Sequence, residues 1–242
     1  MGFGGNPQLP PPPPSAGPFY LGQSDVPWDY ADRLRGCAYP HTPQFWWNGQ
    51  AAAYLMRFNA RLAGNVSAYL ARRGPLPPGS ISSHVRTELA KGREMPLVPF
   101  PGFIDAMVRL AGTPVHPACG PPCGLLARSA FVSTEDPYVA GAAIARDGAL
   151  VAGGWAVSVL PIRRLPQTSM ELGGPALNTA TWGGSVEVVQ SMWNLAYAIA
   201  CDAWVGTLGS NWNRLINEMR GTWLRKADQV RRGAVVYRAR IS

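Results

Sequence analysis

Lysine is nearly missing from this chain of 242 residues: of its 22 basic residues only Lys91 and Lys226 are lysine, and the other 20 are arginine. Charge of either sign is scarce, at 15% of residues, against roughly 25% in an ordinary soluble domain. Histidine occurs only at His41, His84 and His116. No serine stands in a G-x-S-x-G elbow, which removes the simplest hydrolase triad. No G-x-x-x-x-G-K-[ST] loop occurs, and neither lysine lies in a glycine-rich turn, so a P-loop is excluded. RNA-recognition and zinc-finger patterns are also absent, as is any repeat at a solenoid period. There is no uncharged apolar run of the roughly 18 residues that a membrane span needs. The nearest, Ser191–Leu208, is interrupted by Asn194, Asp202 and Gly206 and reads as a buried helix. Residues 1–20 show neither a basic start nor an apolar core of a signal peptide. The expectation is therefore an intracellular or virion protein, not a secreted one, whose cysteines Cys37, Cys119, Cys123 and Cys201 are free thiols.

Apolar residues and rings are plentiful: 47% of the chain is hydrophobic, with nine Trp. A surface this poor in charge and rich in rings is expected to be covered by neighbours. The charge that exists is unevenly placed. Residues 1–32 hold Asp25, Asp29 and Asp32 and no basic residue, whereas residues 203–242 hold eight basic residues against Glu218 and Asp228. A basic end attracts phosphate backbones or acidic protein surfaces, although a genome biased to Arg, Ala, Gly and Pro codons explains the arginine excess equally well.

Pattern divides the chain into three parts. Residues 1–45 read as an extended arm: Pro10–Pro14 favours a polyproline path, and Phe19, Tyr20, Trp28 and Tyr30 are rings fit to anchor that arm on a partner. Residues 46–232 read as a predominantly helical core, and residues 233–242 as a C-terminal strand or second arm. Within the core, Tyr54, Leu55, Phe58, Leu62, Val66, Tyr69 and Leu70 recur at three and four, predicting one helix over Asn48–Arg73 that stops at Gly74-Pro75. Shorter helices fit Ser82 or Ser83 to Lys91 and Gly102–Ala111. Leu150–Ala152 and Trp155–Leu160 flank Gly153-Gly154 and suggest a β-hairpin, with a buried helix broken by glycines as the alternative. Ser185 through Leu208 and Asn211–Val230 read as two helices joined tightly into an αα-hairpin. The expected fold class is thus mainly α with a minor β-hairpin, a helical core with an extended N-terminal arm and a basic C-terminal segment.

Few residues suggest chemistry. Cys37 with His41, and His116 with Cys119 and Cys123, are half-sites that could hold zinc, but Pro117, Pro121 and Pro122 restrict that loop, and no metal or cofactor is expected. Asp202, a lone carboxylate in an apolar stretch, suits pairing with a nearby arginine or capping another element better than acid catalysis. Arg163, Arg164, Arg225, Lys226, Arg231, Arg232, Arg238 and Arg240 are the candidate nucleic-acid contacts, neutralising the backbone without reading bases. The functional expectation is a non-catalytic, self-assembling structural protein of coat or nucleocapsid type. Its partners would be copies of itself in heterologous contacts, with RNA or another nucleic acid a further partner, and it would have no membrane span. An accessory structural subunit of a large complex, ribosomal or respiratory, and an enzyme of unknown class are the alternatives.

Overall fold

A computed structural model describes residues 43–87, 97–113, 124–145, 148–164, 179–181, 183–207, 210–223 and 234–237. Seven helices and five strands are defined among them: α1 (Pro43–Leu55), α2 (Ala60–Arg73), β1 (Ile81–His84), α3 (Phe100–Leu110), β2 (Ser129–Ser133), α4 (Pro137–Ile144), α5 (Gly148–Ala152), β3 (Ala156–Val159), α6 (Gly184–Ala200), β4 (Ala203–Thr207), α7 (Asn211–Trp223) and β5 (Ala234–Tyr237). The strands form one sheet in the order β3-β2-β1-β4-β5, and every neighbouring pair is parallel. The chain steps outward from β1 through β2 to β3, then returns to add β4 and β5 on the other side of β1.

This corrects the expectation of a mainly helical core with a minor hairpin: the fold is a doubly wound α/β sheet. The physical reason lies in the strands. Each has four or five residues; β1 (Ile-Ser-Ser-His) carries serine on both faces, β2 (Ser-Ala-Phe-Val-Ser) carries serine at both ends of one face, and both strands are buried throughout. Central strands of a parallel sheet lack the polar–apolar alternation that marks a half-exposed strand. Ser82 and Ser83, either of which was expected to start a helix running to Lys91, lie inside β1. Residues 203–207, expected in the long helix ending at Leu208, are β4. The anticipated hairpin is instead α5, a turn with Gly154 at φ 65°, and β3 paired parallel to β2. The αα-hairpin is likewise replaced, since β4 lies between α6 and α7. The single helix expected over Asn48–Arg73 is two, because Asn59 caps a new start, its Oδ1 accepting from Leu62 N–H at 2.9 Å. Residues 234–237, read as a possible edge strand, pair with β4 at the sheet's edge.

Alternating residues of each strand feed two cores. Ile81, Ala130, Val132, Ala203 and Val205 pack with Phe103, Met107 and Leu150 of α3 and α5. Phe131 and Trp204 pack on the other face with Val66, Leu195 and Ile216 of α2, α6 and α7. The α3 helix spans β1 and β4, α6 lies across β1 and β2, and α1 packs outside on α7. The expected arm up to residue 42, with Phe19, Tyr20, Trp28 and Tyr30, lies outside the described residues. Among those described, no helix is long and apolar enough to cross a membrane.

Asp202 serves the sheet's N-terminal edge. Its Oδ2 accepts from the Gly79 N–H at 2.7 Å, holding the turn that enters β1.

Candidate ligand cleft at the C-terminal edge

In open parallel sheets the crevice outside the carboxyl ends of the strands, where strand order reverses, is the natural ligand site. Here that point lies between β1 and β4, and its residues are polar. Register sets His84 of β1 beside Ser133 of β2, on the same face of the sheet, and His84 Nδ1 lies 2.9 Å from Ser133 Oγ. Asn213, in the first turn of α7, ties the two central strands together: its Nδ2 donates to the His84 carbonyl and to Thr207 Oγ1, both at 3.3 Å. The start of α7 is secured by Ser210, whose Oγ accepts from Asn213 N–H at 3.4 Å. Trp212 stands against His84, with ring centroids 6.2 Å apart.

Close packing at the switch point depends on Gly206 in β4. A Cβ there would lie 2.5 Å from Asn213 Oδ1 and closer still to the Trp204 ring. Gly206→Ala should therefore push α7 off the sheet, costing about 2–3 kcal/mol of stability by overpacking. Urea denaturation checks this, and a variant as stable as the wild type would contradict it.

The cleft is lined by His84, Thr134, Glu135, Arg163, Gln190 and Asn194, with Ile162, Arg164, Glu187 and Trp212 around them. The cleft is small, about 20 Å³ in volume, room for about one water or one ligand group. Two of its buried side chains have an atom without a hydrogen-bond partner: His84 Nε2 and Asn194 Oδ1. His84 is 4% exposed and Asn194 8%. The Asn194 amide is oriented by its Nδ2, which donates to the Gln190 carbonyl at 3.4 Å, so Oδ1 is left as an acceptor. Burial, reinforced by the Arg86 charge, lowers the His84 pKa to about 3, so the imidazole is neutral at physiological pH.

The two adjacent arginines that the sequence nominated behave differently. Arg164 turns inward: its Nε donates to the Thr134 carbonyl at 2.8 Å, and its terminal nitrogens to the carbonyls of Leu160 at 3.1 and 3.2 Å and Ile162 at 3.2 Å. Burial lowers its pKa, and the Glu135 charge opposes that shift. Arg163 is exposed, with its backbone N–H held by Gln190 Oε1 at 2.8 Å. Arg225, Lys226, Arg231, Arg232, Arg238 and Arg240 lie outside the described residues, as do Cys37, His41, His116, Cys119 and Cys123. Among the described residues no cluster of His, Cys, Asp and Glu could hold a metal ion. Reading the sequence missed His84, Gln190, Asn194 and Trp212. Only a polar residue at the end of each buried strand, or inside the apolar α6, marked them.

Fold and site together define a doubly wound α/β domain with a polar cleft at the C-terminal edge of its sheet. No protein-family model matches the chain, and no curated protein does. Solved structures similar to the chain include POFUT1 in complex with GDP-fucose, at 12% identity, TM-score 0.33, over 68% of this chain and 43% of that one, and apo POFUT1, at 13% identity, TM-score 0.34, over 75% and 47%. The chain thus spans less than half the length of either. The coat or nucleocapsid expectation is corrected here: one of its supports was a helical core, and the core is a parallel α/β sheet.

Proposed function

We propose that this chain is an α/β enzyme domain that binds a nucleotide-type ligand, hydroxyl-bearing and phosphorylated, at the C-terminal edge of its sheet. The observation that carries the reading is the pair of partnerless buried atoms, His84 Nε2 and Asn194 Oδ1, on one cleft at the switch point. An unsatisfied buried polar atom costs about 1–3 kcal/mol, and natural proteins retain such sites where function uses them. A sugar hydroxyl suits the pair. It donates to Asn194 Oδ1, and with the neutral imidazole it shares a hydrogen bond in either direction. The first turn of α7, which brings Trp212 to the cleft, offers the N-terminal end of a helix to a phosphate. Glu135 and Glu187 line the same cleft and are the groups placed to accept a proton from a second substrate.

The reading is tested by thermal shift of the full chain against nucleosides, their diphosphates and GDP-fucose, with wild type beside Asn194→Leu. At least one phosphorylated probe should raise the wild-type Tm in a saturable way. Asn194→Leu removes the orphan acceptor and should melt no lower than wild type, yet lose at least about tenfold in affinity, the equivalent of one hydrogen bond of about 1.4 kcal/mol. A wild type blind to every probe, or a variant that binds as well as wild type, would sink the assignment.

A further inference from the structure

We propose that Arg163 is the residue that reads the ligand's negative charge, and that Arg164 beside it is a positioning residue kept away from the ligand. This rests on the ligand site proposed above. The two arginines share charge and sequence position, and their surroundings separate them. Four donations from Arg164 are spent on the carbonyls of Thr134, Leu160 and Ile162. Those carbonyls belong to the exits of β2 and β3, so the guanidinium fastens the two loops that carry Thr134, Glu135, Ile162 and Arg163 into the cleft wall. Its charge also faces Glu135. A guanidinium committed in this way has little left to give an incoming anion.

Arg163 lines the same cleft with an exposed side chain. Its backbone is fixed by the 2.8 Å hydrogen bond to Gln190, a residue 6% exposed on α6. The base of the side chain is therefore anchored to the helix that also supplies Asn194, while its planar fork is available for a bidentate contact with phosphate oxygens. The partnerless His84 Nε2 and Asn194 Oδ1 mark the floor that takes the neutral part of the ligand. Charge recognition at the rim and hydroxyl recognition at the floor are thus divided between residues on different elements.

Isothermal titration of the full chain with paired probes tests this division: guanosine and GDP, adenosine and ADP, uridine and UDP. In wild type the diphosphate should bind at least about tenfold more tightly than its nucleoside. Arg163→Ala should erase most of that preference and leave nucleoside affinity and Tm unchanged. Arg163→Lys should restore part of it, since lysine keeps the charge without the fork. If Arg163→Ala retained the full preference for the diphosphate, or weakened nucleoside and diphosphate equally, the assignment of Arg163 would be overturned while the cleft reading stood. If wild type bound none of the six probes, the cleft reading itself would fail and take this assignment with it.

Discussion

Replacing Arg220 with methionine should lower the unfolding free energy by about 3–5 kcal/mol, a fall in Tm of roughly 6–20 °C for a chain of this size. Arg220 is 1% exposed and sits in α7 beneath the end of α6. Its NH2 donates to the Asp202 carbonyl at 2.7 Å, and its NH1 to the carbonyls of Ile199 and Cys201. The last carbonyls of a helix have no partner within it, and α6 ends at Ala200, immediately before β4. One guanidinium therefore answers the acceptors at the helix-to-strand junction, where a buried carbonyl left bare costs about 1–3 kcal/mol. Burial lowers the Arg220 pKa to about 10, with neighbouring Cys201 and Asp202 opposing the shift, so the group remains a cation at pH 7. Methionine fills much of the volume and supplies no donor. Lysine keeps the charge but cannot span three carbonyls, so Arg220→Lys should recover less than half of the loss. Urea and thermal denaturation followed by circular dichroism measure both variants. A loss below about 1 kcal/mol for methionine would mean that α6 ends stably without this contact.

Acid should destabilise the fold through His84. Its folded pKa of about 3 lies below the ordinary value of 6.5, chiefly through burial and then through Arg86. The unfolded chain therefore binds a proton that the folded chain refuses. The contribution to stability is complete above pH 6.5 and is lost progressively as pH falls from there toward 3, at up to about 1.4 kcal/mol per pH unit. Between pH 7 and pH 5 the loss from this one residue is about 2 kcal/mol. His84→Asn does not titrate in this range and should flatten the profile by that amount in urea melts at the two pH values. An unchanged pH slope in the variant would show that His84 is not held neutral.

How much of this was legible depends on the kind of signal. The helix that became α3 could be read because Phe103, Met107 and Leu110 keep the helical period on a face that is buried against β1 and β4. The break at Asn59 could not, because the apolar spacing continues through Phe58 and Leu62 across it, and a cap hydrogen bond outweighs an unbroken stripe. Strands β1 and β2 were invisible for a different reason. Ser80, Ser82, Ser129 and Ser133 are buried, yet serine ranks among turn and cap formers when judged locally. Their hydroxyls find partners across the sheet, as Ser80 Oγ and Ser129 Oγ do at 2.8 Å and His84 and Ser133 at 2.9 Å, and such partners are not readable from local sequence. The site followed the strands into obscurity. His84, Gln190, Asn194 and Trp212 are far apart along the chain, and only the parallel register and the crossing of α6 over β1 and β2 bring them to one cleft.

Composition and local period by themselves determined that the chain builds a sizeable core, where most helical stripes lie, and that no P-loop or hydrolase elbow is present. Those properties depend on neighbours within a turn or two, and such neighbours are written consecutively. Only the tertiary structure decided that five short segments pair in parallel, that Arg164 and Arg220 are spent on main-chain carbonyls, and that His84 is a neutral group in a polar cleft. Parallel pairing joins residues separated by a full crossover, and the chemistry of a buried polar side chain is set by which partner that pairing provides or withholds.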